Sequence, residues 1–292
     1  MDLIRNLLAI SRWREFIFFV IINTILGIAV ARGEFGIKFI LAILGNFLAV
    51  AFAFMINDIE DADVDSLSES KSKRNPIAGN RLDKNIAYIV TFIVAGISLV
   101  IYLYLGRQVL LWGGLLLLIS FTYSWRMIRL KAIPVIDIIS HGLMLGGIQV
   151  LVGYFAFQSQ FNLGIISPFL AITLISFYGQ MFNEIRDFEV DCKAGIKHTA
   201  NIIGKQNGQL LMYLFITLGL FTGFISFFFL PIIETWLLIV FALFGIVLII
   251  KAMISYKNTR SLVKSQSEIM EPIQAIFASG LLLQFIIPWI SG

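Results

Sequence analysis

Six oxygen-bearing side chains recur at one spacing in two places along the chain. In NDIEDADVD they are Asn57, Asp61 and Asp65; in NEIRDFEVD they are Asn183, Asp187 and Asp191. On a helix, residues four apart share a stripe and advance ~6 Å per step, so each segment predicts a ladder of oxygen ligands. Like charges so placed repel by about 0.2–0.5 kcal/mol per pair, and something must neutralise them. A hard divalent cation would do so. Mg²⁺ takes oxygen ligands, keeps several waters, and binds through one or two carboxylates together with substrate phosphates. Two facing ladders could therefore grip a diphosphate through bridging Mg²⁺. A lone D-x-x-x-D is more often a solvated helix end; two copies with the same leading Asn point to ligands. Asp58, Glu60 and Asp63 fall off the stripe and are expected only to solvate the helix end.

The elements that carry these ladders must cross a membrane. Of 292 residues, 59% are hydrophobic and 14% charged, and the mean hydropathy is +0.90, a balance that cannot cover a soluble domain with charge. The apolar runs approach the ~20 residues that span ~30 Å of hydrocarbon as helix, and they lack the alternation of a transmembrane barrel. The fold class is an all-α integral membrane protein. Punctuation by Gly, Pro and charge predicts nine spans, at about 15–31, 36–56, 85–105, 108–123, 134–157, 163–183, 209–230, 233–255 and 271–290. Ala29-Val30-Ala31 behind Arg12 and Arg14 also permits a signal-peptide reading, although small residues are ordinary in packed membrane helices. The single cysteine, Cys192, excludes an internal disulfide and a Cys-rich metal site.

Charge distribution sets the orientation. All of the 22 Lys and Arg except Arg32, Lys38 and Arg107 lie at the amino terminus or after spans two, four, six and eight. By the positive-inside rule that side is cytoplasmic, in a cell or inner membrane. The net charge of +4 then needs no nucleic-acid partner, and no feature calls for an obligatory protein partner. Both acidic segments follow even-numbered spans and so share the cytoplasmic face. The 126-residue offset from Asn57 to Asn183 spans four helices, which predicts two pseudo-repeats of parallel topology within one polytopic domain, residues 1–292. A carrier built from inverted repeats would place its site near the midplane. A cation transporter or channel with an acidic vestibule is the alternative of another class.

NDIEDADVD followed by RNPIAGN, NEIRDFEVDCKAGIKHTANIIG, and YSWRMIRLK together resemble the signature segments of the UbiA superfamily of intramembrane prenyltransferases. In the third, Tyr123, Ser124, Arg129 and Lys131 match, while Trp125-Arg126-Met127 stand where the family often carries proline. The resemblance implies helices around a central cavity, with Mg²⁺, two ions in all, held by Asn57, Asp61 and Asp65 and by Asn183, Asp187 and Asp191. An isoprenyl diphosphate would lie between them with its tail in the bilayer. Arg74 and Lys131, then Arg129, Lys71 and Lys73, are candidate diphosphate ligands, and Tyr123 could face an allylic cation. The implied reaction moves the isoprenyl chain to a hydrophobic or amphipathic acceptor, with a lean towards an aromatic quinone precursor through NEIRD and KAGIKHTA. A terpene cyclase or hydratase on the same scaffold is the alternative.

Polar residues inside the spans are weighed separately. Asp137 and His141 sit four apart in span five and are candidates for the acceptor pocket, or else a buried structural pair. Gln149, eight residues beyond His141, joins that candidate pocket, whereas Asn23, Asn46, Tyr178 and Gln180 are expected to act as polar glue between helices, and Pro134, Pro168 and Pro272 to stand near helix starts.

Overall fold

A computed structural model describes residues 2–193, 195, 197–229, 234–236, 239–240, 243, 246–247, 250–251, 254 and 262–291, nearly all of them helical. An amphipathic α1 (Asp2–Ser11) buries Ile10 and exposes Leu3, Ile4 and Leu8. It leads into α2 (Trp13–Val30), then α3 (Ile37–Asp65), the short α4 (Glu69–Arg74), α5 (Lys84–Leu105) and α6 (Arg107–Ser124). Asp83 caps α5, accepting from the Asn85 and Ile86 amides at 2.9 and 3.0 Å. Gly106, at φ 122°, joins α5 to α6 without a loop, a conformation that favours glycine.

The second half comprises α7 (Ile136–Gly142), a π-helical turn (Leu143–Gly147), α8 (Ile148–Phe155), α9 (Ile166–Lys193), α10 (Thr199–Ile203), α11 (Lys205–Phe229) and α12 (Leu262–Ser291). Seven stretches among the described residues are long and apolar enough to cross a membrane. The expected fourth span corresponds to α6, which is not among the seven, and the expected eighth, 233–255, lies largely outside the described residues. Pro272 does not start a helix: α12 begins at Leu262, and both Pro272 and Pro288 lie inside it.

The predicted spans end at 56 and 183, where hydrophobicity stops, but the helices do not. Helix α3 runs on to Asp65 and α9 to Lys193, so both acidic segments are helical, as their spacing requires. With 29 residues α3 is about 44 Å long, well beyond the hydrocarbon thickness. Helix α3 packs against α2, α5, α6 and α8, whereas α9 packs mainly against α11, α7 and the π-turn; among the described residues the two acid-bearing helices do not pack closely on each other.

Buried polar residues tie the bundle together within the bilayer. The Asn46 amide donates to Thr24 Oγ1 at 2.8 Å and to the Gln149 carbonyl at 3.1 Å, and Tyr102 donates to Asn46 Oδ1 at 3.0 Å. Asn23 donates to the Leu145 carbonyl, and Gln149 to the Met144 carbonyl, both at 3.1 Å. These amides serve carbonyls of the widened π-turn, which water cannot reach. The glue role expected of Asn23 and Asn46 is thus what these contacts show, and Gln149, expected with Asp137 and His141 at an acceptor pocket, is bonded in the same way.

Helices α2 and α8 meet backbone to backbone through Gly27 and Gly153. A Cβ on Gly153 would lie 2.1 Å from the Thr24 carbonyl oxygen, and one on Gly27 would lie 2.0 Å from that of Val150. Gly153→Val must push the two helices apart and should cost about 1–3 kcal/mol or more. Thermal unfolding in detergent should show a lowered midpoint; an unchanged midpoint would contradict the tight contact.

Candidate active site

The first ladder forms at the end of α3, and every rung meets a polar partner. Asn57 Oδ1 accepts from Lys131 Nζ at 2.8 Å and from Ser124 Oγ at 3.1 Å. Asp61 accepts from Arg129 Nη2 at 3.0 Å and, on its other oxygen, from Lys131 Nζ at 2.5 Å. Arg129 and Lys131 belong to the connection between α6 and α7, so it is the third signature segment that closes over the first. Burial pushes the Lys131 ammonium below the usual lysine range, against the pull of Asp61. Asp65 is buried and accepts from Asn75 Nδ2 at 3.1 Å, with Arg74 at 4.0 Å. Asn75 is itself buried and also donates to the Asp58 carbonyl at 2.8 Å, fixing the strap after α4 onto α3.

The second ladder lies on α9. Asn183 is exposed, and Asp187 is half-buried in a fork with Arg186 at 3.0 and 2.8 Å. Asp191 lies within the helix, but its side chain is outside the described residues. Beside this stripe Glu184 is buried, accepting from Gln180 Nε2 and the Ala200 amide, both at 2.9 Å, with His198 Nδ1 at 3.3 Å. Asp137 accepts from the Thr199 amide at 2.7 Å and from Thr199 Oγ1 at 2.5 Å. The segment 198–200 is thereby locked between α7 and α9.

Tyr123 stands at the end of α6, next to Ser124, which donates to Asn57 Oδ1. Its ring lies 6.4 Å from that of His141, and charges from Glu184, Asp137 and Asp61 all act on its hydroxyl. Lys71, on α4, lies near enough for its charge to act on Asp187.

The model of the UbiA prenyltransferase family matches residues 20–269. The chain belongs to this family. A lycopene elongase/hydratase of Haloarcula japonica is 31% identical over 161 residues, 53% of this chain and 51% of that protein. A digeranylgeranylglyceryl phosphate synthase of Pyrococcus abyssi is 24% identical over 187 residues, 63% of this chain and 64% of that protein. The matches thus span between half and two thirds of these relatives' lengths. Among solved structures, the apo UbiA homologue of Aeropyrum pernix K1 has a TM-score of 0.73 at 18% identity, covering 92% of this chain and 97% of that one. The UbiA homologue of Archaeoglobus fulgidus bound to GPP and Mg²⁺ has a TM-score of 0.70 at 19% identity, covering 96% and 99%. At such identities the likeness speaks for the fold: the chain is an integral membrane protein with the UbiA-type helical architecture.

Within this UbiA-type architecture, the predicted residues separate into groups. Asn57 and Asp61 share Lys131, and Asp61 also meets Arg129. Arg74 reaches only the edge of Asp65, and Lys73 points into solvent, paired with Glu69 at 2.6 Å. Asp137 and His141 do not form a pair. The first is engaged by Thr199, while His141 Nδ1 lies 3.1 Å from Ser176 Oγ, because their spacing shares a stripe but each faces a nearer partner on another element.

The expectation that Asp58 and Glu60 solvate a helix end is overturned, since both are buried. The structure beyond α3 covers them: Asp58 faces Arg12 at 3.7 Å with no hydrogen bond to either oxygen, and Glu60 is enclosed by Tyr88 and Arg126. Asp63 is exposed, as expected, though it pairs with Arg126. The sequence assigned no site role to Glu60, Asn75, Arg126 or Glu184, which take partners from other segments. A buried-acid signal was available for Glu184 in the polar turn around His198.

Among the described residues no three His, Cys, Asp or Glu side chains converge at metal-binding spacing. The donor chemistry nonetheless fits Mg²⁺, which needs only one or two carboxylates when phosphate oxygens complete its shell. Asn57, Asp61 and Asp65 offer oxygen donors, with Arg129 and Lys131 alongside the first two.

Proposed function

We propose that this protein is a Mg²⁺-dependent prenyltransferase that moves an isoprenyl chain from its diphosphate to a lipophilic acceptor and releases diphosphate. The observation that carries this reading is the convergence of Arg129 and Lys131 on Asp61, with Lys131 shared by Asn57. A metal-ligand carboxylate and phosphate-binding cations occupy one spot at the end of a membrane helix. Asn57, Asp61 and Asp65 would hold one Mg²⁺, and Asn183, Asp187 and Asp191 a second. Bound Mg²⁺ would supply charge neutralisation to the leaving diphosphate as its C–O bond breaks.

The chain's own groups do the rest. Arg129 and Lys131, supported by Arg74 and Lys71, hold and orient the diphosphate; Lys73, spent on Glu69, contributes less. Tyr123 presents a ring to positive charge on the allylic carbon. His141 and Ser176 lie deeper, where an acceptor hydroxyl or carbon would be placed. The reaction takes place at the cytoplasmic face of a cell membrane, within one polytopic unit whose ladders are corresponding positions of two pseudo-repeats. The Archaeoglobus fulgidus homologue, bound to GPP and Mg²⁺, supports the donor. The relatives named for lycopene and for a glyceryl phosphate bear on the acceptor's greasiness, and an aromatic quinone precursor is the third acceptor to try.

The relative named elongase/hydratase favours one second reading, in which water quenches the cation. The family assignment leaves a cation carrier without support. Purified protein in liposomes should release diphosphate only with Mg²⁺, an isoprenyl diphosphate and a lipophilic acceptor together, and mass spectrometry should find the prenylated acceptor. Rapid release with donor alone, giving an alcohol or a cyclic hydrocarbon, would move the assignment to hydratase or cyclase. Ion flux without any Mg²⁺-dependent release would overturn it.

A further inference from the structure

Glu60 immediately precedes Asp61 but lies off the ladder, with 5% of its surface exposed. A carboxylate buried there needs partners. On one oxygen it accepts from the Tyr88 hydroxyl of α5 at 2.7 Å. On the other it meets both the backbone amide and the guanidinium Nε of Arg126 at 3.3 Å. Arg126 Nη2 also reaches the Glu60 carbonyl at 3.3 Å and the Asp63 carboxylate. One turn of α3 thus holds Arg126 at its backbone and at its side chain.

Arg126 is the second residue of the connection that carries Arg129 and Lys131. The Arg129 amide donates to the Trp125 carbonyl at 2.7 Å, closing a turn that leaves Arg129 at φ 49°. Between Trp125 and Ile133 this connection contains neither proline nor glycine, so contacts rather than backbone stiffness must set its shape. Such contacts exist on one side of α3 for Arg126, and on the other the connection delivers two cations to Asp61.

We propose that Glu60 is a positioning residue for diphosphate recognition: with Tyr88 and Asp63 it clamps Arg126, and the clamp sets the 125–131 connection so that Arg129 and Lys131 meet the head group beside Asp61. This rests on the diphosphate-binding role given to that pair above. Long cationic side chains lose binding when their anchor slips, because a misplacement near 1 Å can cost about a hundredfold.

The test uses detergent-purified full-length protein, with inorganic diphosphate plus Mg²⁺ as the binding probe and steady-state KM values for donor and acceptor. Glu60→Gln keeps size and removes charge; it should weaken diphosphate binding and raise the donor KM about tenfold, with the acceptor KM unchanged. Arg126→Gln should do the same, and the double variant should be no worse than either alone, because the two act through one contact. Arg126→Lys, which keeps the charge but not the fork, should recover part of the loss. If Glu60→Gln does not yield folded protein, Tyr88→Phe decides: it removes one hydrogen bond and should still raise only the donor KM. A wild type that binds diphosphate while the folded variants bind it equally well would refute the clamp and leave the proposed function standing. A wild type that binds no diphosphate with Mg²⁺ would remove the proposed function, and the clamp with it. Loss of kcat with both KM values unchanged would also overturn the positioning role.

Discussion

Asp61→Ala is expected to reduce Mg²⁺-dependent diphosphate release by about a thousandfold or more, ~4 kcal/mol of transition-state stabilisation, while leaving a folded, extractable protein. The size follows from where Asp61 stands. It faces Arg129 and Lys131 at once, so its loss removes the proposed metal ligand and leaves two cations without the charge that gathers them. The fold should survive because the residue is partly exposed and its helix is held by apolar packing along its membrane length. Asp63→Ala is the control: two positions away, exposed, and paired only with Arg126, it should cost about tenfold or less. Rates of diphosphate release measured beside gel filtration and thermal unfolding separate the cases. Near wild-type turnover in Asp61→Ala would sink the assignment of the first ladder.

Asp187→Ala tests the other helix and should be about as damaging, although its surroundings differ. Asp187 is half-buried and held by its neighbour Arg186, with Lys71 acting on it from the opposite strap. About half of its side chain is exposed, so a folded protein with no turnover is the expected result. Glu184→Gln makes the contrast. That carboxylate is buried against Gln180, the Ala200 amide and His198, and its loss should lower the unfolding midpoint as well as the rate. Should Asp187→Ala retain turnover and lose only stability, α9 would be scaffold and the site would belong to α3 alone.

The helical architecture was legible because its cause is local. Apolar runs of membrane length and their Gly and Pro boundaries announce spans directly, and a four-residue repeat of Asn and Asp implies helix even where hydrophobicity has ended. Helices α3 and α9 run through Asp65 and Lys193 in keeping with that repeat. What was not legible depends on partners distant in the chain. Nothing around Glu60 announces that Tyr88 and Arg126, 28 and 66 residues away, will enclose it. Asp137 and His141 were read together from their spacing, yet Thr199 and Ser176 claim them separately. The π-turn at Leu143–Gly147 likewise left no periodic trace, because five residues of widened helix barely disturb a hydrophobic run.

The length of α3 gives the protein a dependence on the lipid around it. Counting 20 residues from Ile37, at its far end, brings the chain to Asn57, about 30 Å along the axis. That is the depth of an average hydrocarbon layer, so the first rung stands where acyl chains give way to head groups. With α3 held by its packing against α2, α5, α6 and α8, the height of the ladder is set from below. In a thinner bilayer the rungs would rise into water and the greasy substrate would have to follow; in a thicker one the carboxylates would be drawn into a medium that penalises their charge. The same sequence would thus work best in a membrane of one thickness, with acyl-chain length acting as a setting on the proposed activity.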